Sequence, residues 1–382
     1  MQSQNTNNVP VQFVTTDQML TDLSEEWSEL PWIALDTEFV RRDTYRAIPA
    51  LIQIFDGESV WLIDPKSGVD LSPLALVMTS DCVKILHSAA EDLGVLFQCT
   101  GVWIENLHDT QLAMSLLNLG QSVGYQKMIS TMLEVELEKD ETQSDWLRRP
   151  LSDQQVRYAA DDVIYLAQAW LKLYEQLAEF DRLAWLNEDC QTLVDRSREL
   201  YEMNGDLPFQ RVKGIGRLNR RALAVVRALA IWREKVAAEK DIPKGRILAD
   251  RQIVEIGLRK STSLVEFDQL AVPKGIIRNY GVLMGELVKG AMALDEDLLP
   301  PRFTLLPKDA KSWLDAVYKP VKEAALSQNL DAAVICRKKQ FQEMINHAWR
   351  NNEMGDWPED IIGWRKDLIE EGVVEAMKSL LD

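Results

Sequence analysis

Residues 32–40 read "WIALDTEFV": four largely apolar residues run into an aspartate, and a glutamate follows two positions later. A short apolar run of this kind suits a buried strand. The two-residue period of a strand then puts Asp36 and Glu38 on one face. Two carboxylates one repeat apart, at the end of a buried strand, are costly unless they are paired or bound to a cation. The same residues also fit a strand that runs out into a solvated loop carrying ordinary surface acids.

Outward from this run, "ALIQIF" (50–55), "SVWLID" (59–64), "VKILH" (83–87) and "GVWI" (101–104) also read as strands. Between and after them lie helical patterns at "SPLALVM" (72–78), "AAEDLGVLF" (89–97) and "TQLAMSLLN" (110–118). This alternation predicts an α/β layer domain. After about residue 150 no strand pattern remains and helical periodicity runs to the C-terminus.

A chain of 382 residues predicts two or three domains. No stretch approaches the roughly 18 unbroken apolar residues of a membrane span. The opening "MQSQNTNNVP" reads as a frayed tail rather than a signal peptide, so the expected compartment is the cytoplasm. Cys82, Cys99, Cys190 and Cys336 form no C-x-x-C pair, and there are three histidines, His87, His108 and His347. A metal would therefore be held mostly by carboxylates, which favour hard ions such as Mg²⁺ or Mn²⁺. The formal net charge is −17, yet residues 211–251 carry twelve Lys/Arg against four acids. That local excess fits a phosphate-binding face or a solvated helix surface about equally.

Two more stretches bear on chemistry. In "KILHSAAEDLGVL" (84–96), Asp92 neighbours Val95 and Leu96 on a helix and so lies near its buried side. His87 is expected to cap or pack. In "RYAADDVIYL" (157–166), an apolar face centres near Val163. Asp162 stands about 100° from that centre and can reach the core edge, whereas Asp161, about 160° away, is expected to point to water. Tyr158 precedes Asp162 by four residues and shares its flank. Ser152 suits an N-cap for this helix.

The combination of D-x-E on a first strand, an Asp on a later helix and Y-x-x-x-D on a final helix resembles the DEDD superfamily of 3′-to-5′ exonucleases, in its tyrosine subclass. "ALDTEFVR", "LIQIFDG", "LIDP", "DTQ", "SDWLRRPL" and "YAADDVIYL" are similar, in this order, to the ribonuclease D family. The resemblance implies an RNase H-like mixed sheet flanked by helices. It implies metal-ligand roles for Asp36, Glu38, Asp92 and Asp162, and a water-orienting role for Tyr158. It further implies two Mg²⁺ (or Mn²⁺) ions, with Asp36 as the bridge, Glu38 and Asp162 completing one site and Asp92 helping the other. The implied activity is trimming of the 3′ ends of tRNA precursors and other small structured RNAs, with release of nucleoside 5′-monophosphates. A single-stranded DNA exonuclease with the same site and a non-catalytic RNA-binding scaffold are the alternatives. The scaffold would be expected to lack a ligand, and all five positions are intact.

A faint repeat at a spacing of 88 relates Ile247 to Ile335, Arg251-Gln252-Ile253 to Lys339-Gln340-Phe341, Glu255-Ile256 to Glu343-Met344 and Gly275 to Gly363. These copies resemble HRDC domains, helical nucleic-acid-binding modules. The expected organisation is an exonuclease domain over 1–205, a first HRDC domain over 211–295 and a second, diverged one over 300–382. The stretches "EMNGDLPFQ" and "LDEDLLPPRF" serve as linkers. Arg148, Arg149, Lys213, Arg217, Arg220 and Arg221 are candidates for contact with the RNA backbone. Trp146 is expected to pack its loop, Asp109 to cap a helix, and "VKGIG" (212–216) is a weaker phosphate-cradle candidate. No G-x-x-x-x-G-K-[ST] loop is present, which argues against a nucleotide cofactor and a helicase activity. No membrane partner is implied, and the expected state is a monomer.

Overall fold

The computed structural model describes residues 9–137, 144–202, 207–301, 306–307 and 309–382. Most of the expected frayed tail, the middle of the first linker and the end of the second lie outside these residues.

Strands β1 (Val11–Val14), β2 (Trp32–Val40), β3 (Ile48–Phe55), β4 (Val60–Ile63), β5 (Val83–Leu86) and β6 (Leu107–Asp109) form one sheet in the order β1-β4-β3-β2-β5-β6. It is mixed: β1 runs parallel to β4, β3 antiparallel to β4, and β2, β5 and β6 are parallel along the series. In β3, residues 50–55 are all buried, so the run is apolar on both faces except at Gln53, which is itself buried. Around the sheet pack α1 (Asp17–Ser28), α2 (Leu74–Met78), α3 (Asp92–Thr100), α4 (Thr110–Leu116), α5 (Tyr125–Leu133) and α6 (Asp153–Glu179).

Two expectations need correction. "GVWI" is not a strand: Gly101 ends α3 in the left-handed region (φ 75°), residues 102–106 turn, and the strand forms only at Leu107–Asp109. The unforeseen β1 is four residues long with three of them exposed, too short a run for its periodicity to be read.

Beyond α6 come α7 (Leu183–Glu202) and α8 (Leu207–Gln210), then α9 (Arg220–Lys240), α10 (Lys244–Ile247), α11 (Asp250–Arg259), α12 (Leu264–Gln269) and α13 (Lys274–Met292). The chain closes with α14 (Lys311–Ser327), α15 (Ala332–Ile335), α16 (Gln342–Asn351) and α17 (Gly363–Leu381). Among the described residues no strand follows β6, and no helix is long and apolar enough to cross a membrane.

The spacing of 88 has a physical content. Ile247 and Ile335 each end a one-turn helix and are buried. Gln252 and Gln340 each bring a side-chain oxygen back to the N–H three residues earlier, on Ala249 and Arg337. Asp241 and Asn329, also 88 apart, both stand at positive φ after the first long helix of their copy.

Packing divides the chain into two units. One draws on residues 1–38, 50–194 and 304–382, the other on 39–49 and 195–303. Within the first, the last helical copy is joined to α7. The Trp185 and Trp364 rings stack at 4.4 Å, and the Arg365 guanidinium forks onto the buried Asp189 carboxylate. Gly363 is required here. Its φ is +52°, and a Cβ would fall on the Glu188 carboxylate, whose Oε2 accepts from the Trp364 N–H. Within the second unit, α9 lies at the centre of an apolar core that includes Leu223, Val226, Leu229, Ile253, Ile256 and Phe267.

Candidate active site

The end of β2 carries Asp36 and Glu38, the start of α3 carries Asp92, and the second turn of α6 carries Tyr158 with Asp162 just beyond. Each is placed by a local device. Alternation along β2 aims Asp36 and Glu38 alike. The β5–α3 connection is held by Asp109, whose carboxylate accepts the N–H groups of Ser88 (3.1 Å) and Ala89 (2.8 Å) and also caps α4 through Gln111 (2.7 Å) and Leu112 (3.3 Å). Asp109 thus caps as expected, and it also fixes the turn that delivers Asp92. Helix α6 begins with a reciprocal capping box: Gln155 N–H donates to Ser152 Oγ (3.1 Å) and Ser152 N–H donates to Gln155 Oε1 (3.0 Å).

Asp36, Glu38 and Asp162 each bring a carboxylate oxygen to within 4.8 Å of the others. Asp92 stands beside Asp36 and raises the proton affinity of Glu38, while its Oδ1 accepts the Thr37 hydroxyl. These carboxyls oppose one another's ionisation. Burial, then Asp36, Asp162 and Asp92, push Glu38 up to about 9. Burial raises Asp36 to about 6 against the pull of the Thr37 N–H. Asp92 and Asp162 are likewise raised, by burial first and Asp36 second. Carboxyl groups that oppose one another's ionisation while their oxygens converge on one point are the coordination set of a hard divalent cation. The residues present fit such an ion.

The Tyr158 phenol hydrogen-bonds Asp162, and burial together with Asp162, Glu38 and Asp36 holds it above its ordinary range. It keeps its proton and acts as a donor. A second phenol was not foreseen: the Tyr125 hydroxyl donates to the backbone carbonyl of Asp162, with the His87 ring edge-on at 5.6 Å. His87 Nδ1 meets the Thr110 hydroxyl at 2.8 Å, so it packs as expected. Beside Tyr158 and Asp162 opens a cavity of about 260 Å³, lined also by Tyr125, Arg157, Asp161 and Tyr165.

Asp161, expected to point to water, is partly exposed and stands on the wall of this cavity. Trp146 is buried 6.0 Å from the Tyr158 ring, a packing role. Arg149 is committed to the fold: it forks onto Asp64 and donates to the carbonyls of Ala50 (2.6 Å), Trp146 (2.8 Å) and Arg148 (2.8 Å). Arg148 is exposed. Arg220 and Arg221 bind Glu296 and carbonyls between Met292 and Pro300, which closes their own helical bundle. Lys213 and Arg217 are exposed, although the Lys213 N–H in "VKGIG" already donates to Asp250 Oδ2 (3.0 Å).

Comparison with known proteins agrees with this geometry. Residues 11–178 match a 3′-5′ exonuclease family, residues 222–288 the HRDC domain, and residues 309–373 the ribonuclease D C-terminal HRDC domain. The chain is 33% identical over 374 residues to ribonuclease D of Pseudomonas paraeruginosa, covering 97% of this chain and 98% of that protein. It is 32% identical over 376 residues to ribonuclease D of Escherichia coli, with coverage of 97% and 98%. The crystal structure of Escherichia coli RNase D, described as an exoribonuclease involved in structured RNA processing, superposes with a TM-score of 0.83 at 30% identity, covering 97% of this chain and 99% of that one. The catalytic core of RRP6 from Trypanosoma brucei shares the fold at a TM-score of 0.53 and 23% identity, over 77% and 83% of the two chains. Matched nearly end to end in sequence and in fold, the chain belongs to the ribonuclease D family of hydrolytic 3′-to-5′ exoribonucleases.

Proposed function

We propose that this enzyme trims the 3′ ends of tRNA precursors and other small structured RNAs, one nucleoside 5′-monophosphate at a time, as a cytoplasmic monomer with two Mg²⁺ or Mn²⁺ ions. The observation that carries the reading is the convergence of Asp36, Glu38 and Asp162 within 4.8 Å, with Asp92 alongside. The exonuclease family it belongs to depends on divalent metal. Asp36, Glu38 and Asp162 would hold one ion, and Asp36 with Asp92 the other. When bound, such ions lower the pKa of a water nucleophile and stabilise the charge that develops on the leaving 3′-oxygen.

The protein's own groups account for the rest. The one O–H proton of Tyr158 meets Asp162 here; with Asp162 engaged by an ion it would turn to the attacking water and orient it, and a phenol held protonated does not abstract the water's proton. Thr37 and Tyr125 hold Asp92 and the Asp162 backbone in place. The exposed Lys213 and Arg217 supply cationic contacts to RNA phosphates. The three-part organisation, 1–205, 211–295 and 300–382, assigns cutting to the first part and RNA holding to the helical parts.

The deciding experiment incubates the protein with a 3′-extended tRNA precursor and with single-stranded DNA, in Mg²⁺ and in EDTA. A ladder that shortens from the RNA 3′ end only with Mg²⁺ is expected. Internal cuts, or cutting that persists in EDTA, would contradict the reading. Tyr158→Phe removes one donor to the attacking group, and a lost donor of this kind costs about 10–100-fold in kcat. Metal and RNA affinity should stay within about twofold, as measured by calorimetry and filter binding. A loss confined to RNA affinity would reassign Tyr158 to substrate binding.

A further inference from the structure

Residues 41–47 connect β2 to β3, and Glu38 stands only five positions before Asp43. The middle of this connection is gripped by groups of its own unit. Asp241 ends α9 in the left-handed region (φ 46°), and its Oδ1 accepts the backbone N–H groups of both Tyr45 (3.0 Å) and Arg46 (3.1 Å). The Tyr45 hydroxyl donates to Glu234 Oε2 (2.9 Å), and Lys244 Nζ donates to Glu234 Oε1 (2.6 Å). Glu234 is a carboxylate only 6% exposed. The Tyr45 ring packs on the apolar core that surrounds α9. Arg46 lies over the Tyr201 ring at 4.1 Å and bonds its hydroxyl, while Arg246 pairs with Asp43. Three of the seven connecting residues are therefore held by side chains that come from far along the sequence.

We infer that this clamp positions the end of β2, so that Tyr45, Glu234 and Asp241 are positioning residues for the hydrolysis attributed to Asp36 and Glu38. The inference rests on the proposed function. The end of a strand frays unless its continuation is tied down. A carboxylate that must share an ion with others loses rate steeply when it wanders by fractions of an ångström. Glu38, at the next-to-last outward turn of β2 before the connection, is the member of the cluster most exposed to such fraying. The residues that restrain it lie about 200 positions away, in the helical region that the HRDC family model matches.

The test compares two substitutions at one position. Asp241→Gly removes the shared acceptor while suiting the left-handed cap. Asp241→Asn keeps an Oδ1 acceptor and tolerates the same backbone. Amide hydrogen exchange across residues 33–47 is followed by mass spectrometry. In parallel, kcat and KM are measured in Mg²⁺ on a 5′-phosphorylated ribodinucleotide, a substrate too small to need extended RNA contacts. Asp241→Gly is expected to exchange faster through 37–47 and to lose about tenfold in kcat with KM nearly unchanged, and Asp241→Asn to behave as the natural protein. Tyr45→Phe, which keeps the ring and loses only the hydroxyl, should show a smaller change in the same direction. Unchanged exchange in Asp241→Gly, or a change in KM alone, would overturn the clamp. If the natural protein fails to cut RNA, the proposed function falls, and the exchange comparison by itself decides whether the clamp restrains β2.

Discussion

Asp36→Asn is expected to lower the rate of RNA hydrolysis by about 10³-fold or more, the loss that follows when about 4 kcal/mol of charge stabilisation disappears from the transition state. Asp36 is the common neighbour of the cluster: it shares the 4.8 Å group with Glu38 and Asp162, and it is a cause of the raised proton affinity of Glu38, Asp92 and Asp162. An amide of the same shape keeps the packing and removes one anionic oxygen from the donor set. The substitution has an informative second sign. Since Asp36 penalises three buried neighbours, its neutral replacement should melt no lower than the natural protein in EDTA, as is usual when a strained functional group is relieved. The stabilisation conferred by added Mg²⁺ should shrink at the same time. Single-turnover cleavage and thermal melts with and without Mg²⁺ read both. Retention of more than about a tenth of the rate would remove Asp36 from the centre of the chemistry.

How much of this was legible in the sequence depends on whether a residue's partners were local. Asp36 and Glu38 stand out as a pair on one strand face, but that motif alone fits surface acids as well; only with Asp92 and the Y-x-x-x-D of α6 does it point to a site. Asp162 follows from the helical wheel, since the face that packs α6 is continuous and the flank is defined by it. The same wheel put Asp161 on the solvent side but gave no sign of the cavity beside it. A wheel registers one helix's core face but not a second wall, and here residues 135–137 and Tyr125 build a cavity against the far flank of α6. Tyr125 and Thr37 carried no local sign, because their partners Asp162 and Asp92 lie 37 and 55 residues away. Arg149 resembled a phosphate contact since its neighbours "SDWLRRPL" suggest an exposed basic loop. Its guanidinium instead satisfies carbonyls that the loop and β3 would otherwise leave without a donor. Strand β6 was placed too early: its three buried residues, Leu107, His108 and Asp109, include two polar ones that no hydrophobic pattern marks. The repeat at 88 was faint in letters because it preserves roles, a capping glutamine and a buried apolar position, more than identities.

The largest effect on stability is expected from Asp189→Ala. Asp189 Oδ1 accepts from the Trp364 indole N–H (3.0 Å) and from Arg365, and its Oδ2 accepts the second Arg365 nitrogen (2.9 Å), with the carboxylate about 7% exposed. Truncating the buried side of this bidentate pair strands the Arg365 guanidinium, whose side chain is 24% exposed. The Arg365 guanidinium is then left against the Trp364 face (4.3 Å), with the Val334 carbonyl (3.0 Å) still accepting from its Nε. Such a loss costs about 3–5 kcal/mol where both partners are buried, and about 2–3 kcal/mol where water reaches the arginine as it does here. Because the penalty lies in the orphaned charge rather than in the missing attraction, the double change Asp189→Leu with Arg365→Met should recover much of it, though the indole N–H still lacks its acceptor. Chemical unfolding followed by tryptophan fluorescence reads this directly, since the stacked Trp185 and Trp364 rings report on the junction of α7 with α17. Asp189→Ala should produce an early transition in that signal. A shift of less than about 1 kcal/mol, or a double variant no better than the single one, would mean that the stacked indoles and not the ion pair hold the last helical copy in place.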